Sequence, residues 1–162
     1  MNEQDFRACV AREYDGIYRF SYRMLGAREA AQDVTQEAFL RLAGGALADG
    51  GTPARRWLYT VARNLCIDEL RRRTRMASAE GNSALTTATR PDQNETAAAV
   101  AAAVASLEAE HREVIVLREY EGLSYADIAL VIGCPEGTVK SRIARGRERL
   151  RELLKDFMEA RA

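Results

Sequence analysis

The sequence predicts an all-α protein made of two small helical domains joined by a flexible linker. Three observations carry that reading. Apolar residues recur at spacings of three and four almost throughout the chain. No run of alternating β-branched residues argues for a sheet. Between Thr74 and Thr96 lies TRMASAEGNSALTTATRPDQNET, which is polar, punctuated by Gly and Pro, and without an apolar stripe. The expected units are therefore residues 1–75, a linker over 76–95, and residues 96–162, a division that a chain of 162 residues accommodates.

The elements follow in order. Helices are expected over 4–25, 28–43, 53–75, 95–107, 110–121, 124–132 and 136–157, with Gly26 and Gly122 standing where helix-terminating glycines belong. In the second helix Ala30, Ala31, Val34, Ala38, Phe39 and Leu42 share one broad face, which must be core. Asp33, Gln36, Glu37 and Leu40 lie on the other, with Leu40 the one apolar side chain among polar ones. In the third, Leu58, Val61, Ala62, Leu65 and Cys66 face inward, while Arg56, Thr60, Arg63, Asn64, Ile67 and Arg71 run down the opposite side. Trp57 has Val61 and Leu65 four and eight residues on, which favours packing over base stacking. The fourth helix, rich in Ala over 97–105, lacks anchoring side chains.

The last two helices form the sharpest local pattern, LSYADIALVIGCPEGTVKSRIARGRERL. Ser124 and Asp127 make a capping box that starts a short helix. Ala129 is small where two helices would cross, Gly133 suits a tight turn, and Pro135 suits the start of the next helix. Val139, Ile143, Leu150, Leu153 and Phe157 then line one inward stripe. Thr138, Ser141, Arg145 and Glu148 project the other way, flanked by Lys140 and Arg142. This is a helix-turn-helix: hydroxyls and guanidinium reach base edges in a major groove while the flanking cations meet phosphates.

Charge agrees. The chain is formally neutral, with 24 basic and 24 acidic residues, yet seven arginines fall between Arg55 and Arg75 and seven basic residues between Lys140 and Lys155. Two basic blocks on an acidic body suggest two contacts with a polyanion. Other functions find little support. No stretch approaches the 18 to 20 or so apolar residues of a membrane span, and the acidic N-terminus lacks a signal core. Cys9, Cys66 and Cys134 are far apart and match no zinc spacing, so reduced, buried thiols of a cytoplasmic protein are expected. There is no phosphate loop, metal cluster or nucleophile elbow, and His111, in an acidic run, reads as a surface residue. No catalytic residue, metal or cofactor is expected.

Three segments in order, EAAQDVTQEAFLRL, RRWLYTVARNLCIDELRRR and HREVIVLREYEGLSYADIALVIGCPEGTVKSRIARGRERLREL, resemble those of extracytoplasmic-function (ECF, group four) sigma factors. The likeness covers nearly the whole chain. It implies a promoter-specificity subunit of bacterial RNA polymerase, whose first domain (region 2) melts the −10 element and whose second (region 4) reads the −35 element. By the same resemblance Asp33, Gln36, Glu37 and Leu40 dock on the clamp coiled coil of the largest polymerase subunit, and region 4 meets the flap of the second-largest. Arg56, Thr60, Arg63, Asn64 and Arg71 take the −10 strand; Thr138, Lys140, Ser141, Arg142 and Arg145 take the −35 element. An anti-sigma factor is a further implied partner.

Thr35 stands where the family has an aliphatic residue, and the loop 43–53, with four glycines, offers few side chains to a base pocket. The rival reading is a stand-alone helix-turn-helix regulator, which leaves the second basic helix and Leu40 unexplained. A flexible linker of this length spans roughly 25 Å, whereas two turns of duplex take roughly 70 Å. Free of polymerase, the acidic body is therefore expected to approach the basic helices and weaken DNA binding.

Overall fold

In a computed structural model, which describes residues 1–47, 52–80 and 94–162, every regular element is a helix. The first domain contains α1 (Glu3–Leu25), α2 (Arg28–Ala43) and α3 (Ala54–Glu80). The second contains α4 (Glu95–Ala105), α5 (Ala109–Ile115), a π-helical turn over Val116–Tyr120 that continues α5, then α6 (Tyr125–Ile132) and α7 (Glu136–Glu159).

Local chemistry sets the helix ends. The Asn2 side chain accepts from the Asp5 amide and starts α1, which Gly26 ends in the left-handed conformation at φ 67°. The expected capping box at α6 is half made: Ser124 Oγ accepts from the Asp127 amide at 3.1 Å. Gly133, at φ 72°, then turns the chain into α7, with Pro135 as its N-terminal cap residue. In α2 the departure at Thr35 is accommodated, because its fully buried hydroxyl donates to the Ala31 carbonyl at 2.7 Å.

Two differences from the expected elements have physical causes. Helix α3 runs on to Glu80, beyond the expected end at 75. Residues 76–80, MASAE, contain no Gly or Pro to stop it, and Ala, Met and Glu favour helix even without an apolar stripe. Secondly, the expected helix 110–121 changes pitch at Val116: the Glu121 amide donates to the Val116 carbonyl, five residues back. The helix α4 begins at Glu95, inside the expected linker, while residues 81–93 of that linker and Ala48–Gly51 of the loop 43–53 lie outside the described residues.

Helix α1 packs against α2 and α3, and α7 against α5 and α6. Ile17, Phe20 and Met24 of α1, Ala31 and Ala38 of α2, and Leu58, Tyr59, Ala62 and Cys66 of α3 fill the first core. Val114 to Leu117, Ile128, Val139 and Ile143 fill the second. The stripe of α7 is buried at Val139 and Ile143 and half-buried at Leu150, Leu153 and Phe157. Trp57 packs against the core, as expected. The two cores form one continuous buried cluster, with α3 lying against α6 and α1 against α4 and α5.

Candidate nucleic-acid interface

The first turns of α7 follow directly on the Gly133 turn, and their outward face is open. Lys140, Ser141 and Arg145 are exposed, while Thr138 and Arg142 are half-buried. Ser141 Oγ donates back to the Thr138 carbonyl at 3.0 Å, which leaves its lone pairs outward. Lys140 stands 5.8 Å from the Tyr125 ring centroid, and Arg118 packs over the same ring at 4.5 Å. Arg145 has no partner among the described residues, so its five donors are available.

The stripe on α3 divides. Asn64 and Arg71 are exposed, but Arg56, Thr60 and Arg63 are half-buried beneath the second domain. Arg56 lies 3.5 Å from Asp127 of α6. Arg63 donates twice to Glu113 of α5, at 2.7 and 3.2 Å, in a bidentate pair. The Thr60 hydroxyl donates to the Arg56 carbonyl within its own helix. On α2, Asp33 and Gln36 are exposed, Glu37 accepts from Arg41 Nε at 2.8 Å, and Leu40 is 66% exposed amid them.

Arg142 of α7 also reaches Glu113, at 4.0 Å, and Glu110 at 3.9 Å. One carboxylate, 1% exposed, thus stands between a cation of each basic block. Around it runs a groove of about 620 Å³ between the domains, floored by Ile67 and Leu70 and edged by Arg63, Arg71, Arg75 and Arg142. The two basic blocks therefore face one another.

A second junction lies beside it. The Tyr59 hydroxyl donates to Glu121 Oε2 at 2.9 Å, and Arg55 donates to the Glu121 carbonyl at 2.7 Å. Arg19 and Arg23 stand 3.5 and 3.9 Å from the same carboxylate, and Arg23 lies over the Tyr120 ring at 4.0 Å. Burial, with the Glu121 charge next, drives the Tyr59 pKa upward and keeps the hydroxyl a donor. Gly16 leaves the space: a Cβ there would come within 2.8 Å of the Tyr59 hydroxyl and 3.3 Å of Glu121 Oε2. Arg112 of α5 donates to the Met24 carbonyl near the end of α1 at 2.6 Å, where a helix presents partial negative charge. Burial, and then the charge of Arg73, lowers its pKa.

Sequence reasoning missed Gly16, Tyr59, Arg112, Glu113 and Glu121. The available signal was a charged pair, Arg112 and Glu113, opening the apolar run VIVL. Among the thiols, Cys9 and Cys66 are buried as expected, and burial pushes Cys66 up to about 12; Cys134 is only half-buried. His111 is half-buried, its Nε2 3.7 Å from Glu110.

Residues 9–76 match the family described as Sigma-70 region 2, and residues 97–150 match Sigma-70, region 4. The chain is 40% identical to the ECF RNA polymerase sigma factor SigL of Mycobacterium tuberculosis over 87% of its own length and 84% of that protein's. It is 34% identical to ECF RNA polymerase sigma factor SigW of Bacillus subtilis, over 96% and 92% of the two chains. In solved structures it is similar to the sigma factor RpoE in complex with the anti-sigma factor NepR from Bartonella quintana, with TM-score 0.84, 29% identity, and 94% and 98% of the chains covered. It is also similar to CnrH in complex with the cytosolic domain of CnrY, with TM-score 0.72, 26% identity, and coverage of 96% and 90%.

Proposed function

The chain belongs to the extracytoplasmic-function group of RNA polymerase sigma factors, which direct promoter-specific transcription initiation, and we propose that it divides this work between its two domains. Residues 96–162 read the −35 element through Thr138, Lys140, Ser141, Arg142 and Arg145. Residues 1–75 take the −10 non-template strand through Arg56, Thr60, Arg63, Asn64 and Arg71, and hold the polymerase clamp through Asp33, Gln36, Glu37 and Leu40. Residues 76–95 join them. The observation that carries the reading is the open array on α7: exposed Lys140, Ser141 and Arg145 within three turns of the helix start, on the face opposite buried Val139 and Ile143. Such a face fits a major groove, with guanidinium to a base edge and the remaining cations to phosphates.

The role is one of binding rather than catalysis, carried out in the cytoplasm where the polymerase works. An anti-sigma factor is a further partner, a reading supported by the RpoE likeness, since that protein was captured with one. A stand-alone regulator would leave the region 2 match over 9–76 without a role.

Run-off transcription by core polymerase plus this chain on a randomised promoter library tests the division. Arg145→Ala is expected to relax preference at one −35 position and to lose about 1–3 kcal/mol of promoter binding. Unchanged base preference, with the fold intact by circular dichroism, contradicts the base contact.

A further inference from the structure

The groove between the domains carries more positive charge than its own carboxylates answer. Four guanidiniums line it, those of Arg63, Arg71, Arg75 and Arg142, against the carboxylates of Glu110 and Glu113 among the described residues. Glu113 is committed to Arg63 and lies near Arg142, which also approaches Glu110. Arg71 and Arg75, by contrast, are exposed and have no ion pair among the described residues. They stand one turn apart on α3, where like charges repel, while the neighbouring Arg72 and Arg73 both pair with Glu69. Half-buried Ile67 and Leu70 floor the groove, and Ala109 of α5 adds a third apolar surface. We propose that this groove binds a nucleoside phosphate, with its phosphates on Arg71 and Arg75 and its ring system on Ile67 and Leu70.

Each part of that ligand answers a feature of the groove. Guanidinium forks pair bidentately with phosphate oxygens, and two of them a turn apart suit a phosphate chain better than a lone carboxylate. From Arg75 back to Arg63 the helix runs about 18 Å, and a cavity of about 620 Å³ falls in the range that holds small ligands. The unanswered cations lie at the Arg75 end, and the carboxylates gather at the Arg63 end. A second anionic group at the carboxylates meets repulsion, whereas ribose hydroxyls and base amino groups donate to them. A fatty acid covers the apolar floor but brings no donor to Glu110. Bare pyrophosphate satisfies the arginines and leaves the floor in water. The walls come from α3 on one side and from α5 and α7 on the other, so the occupant favours the arrangement of domains seen here by mass action. The site stands independently of the reading of α3 as a DNA surface, because Arg75, Leu70 and Ala109 have no part in that reading.

Isothermal titration calorimetry of the full chain, free of DNA and at physiological salt, tests the site with ADP, inorganic pyrophosphate and laurate as probes. One ADP is expected to bind per chain, tighter than pyrophosphate by about tenfold or more because its two ends engage together, and laurate is expected not to bind. Arg75→Ala leaves the apolar floor in place and is expected to weaken ADP binding by about tenfold, the loss of a charge-assisted contact. Arg28→Ala, which removes an exposed cation of α2 outside the groove, is expected to leave it unchanged. Pyrophosphate binding as tightly as ADP overturns the ring site and leaves an adventitious ion only. Laurate binding tighter than ADP overturns the phosphate assignment. Equal losses in Arg75→Ala and Arg28→Ala overturn the groove as the location, and no ADP binding up to about 1 mM overturns the proposal outright.

Discussion

Gly146 is buried in the middle of α7, where glycine costs a helix roughly 1 kcal/mol relative to alanine. The reason lies across the core: a Cβ would stand 2.7 Å from Ile115 Cγ1 and 3.1 Å from its Cδ1, and Ile115 is itself 1% exposed. Gly146→Ala therefore gains helix propensity and loses packing, and overpacking of a filled core costs about 1–3 kcal/mol, so the loss wins. The expected outcome is a lower melting temperature in a thermal melt of the full chain; an unchanged or higher one contradicts this account of the α5–α7 contact. The inward stripe that brackets Gly146 was legible in the sequence, because it is periodic. Its partner Ile115 was not, because close approach between helices leaves no mark on either one. The same holds for Glu113 and Glu121, whose partners Arg63 and Tyr59 are 50 and 62 residues away.

Helix α2 separates its apolar side chains by face. Ala31, Val34, Thr35, Ala38, Phe39 and Leu42 are buried, while Leu40 stands outside. Leu40→Asp should leave the melting temperature nearly unchanged and weaken association with core polymerase by about 1–2 kcal/mol or more, as loss of a central apolar contact does. Recovery of core enzyme by the variant at the wild-type level in a pull-down contradicts the assignment of that face. All seven α-helices among the described residues were legible, since amphipathic periodicity and cap residues act locally. Two features were not. The extension of α3 to Glu80 depends on propensity and on pairs such as Glu69 with Arg72 and Arg73, rather than on an apolar stripe. The π-helical turn has no compositional signature at all, and it is what aims Glu121.

For the whole molecule the decisive property is how a neutral chain carries two basic blocks. In the closed arrangement its own carboxylates answer several of those charges: Glu113 answers Arg63 and Arg142, Asp127 answers Arg56, and Glu119 answers Arg147. Glu113 and Asp127 of the second domain thus stand against the basic stripe of α3. What remains open is divided between two helices, Arg71 and Arg75 on α3 and Lys140, Arg145, Arg151 and Lys155 on α7, and phosphate contacts made by one helix at a time weaken steeply as salt rises. Binding through both domains at once, by contrast, makes the second contact intramolecular and multiplies the first. A partner that holds the domains apart converts the closed chain into a bivalent reader.

The most direct measurement is the anisotropy of a labelled promoter selected from the library, titrated with the chain alone and with the chain on core polymerase at physiological salt. Weak binding of the isolated chain with little sequence preference, and binding tighter by about 100-fold or more and strongly selective once core polymerase is present, is the predicted result. Tight, selective binding by the isolated chain would contradict it.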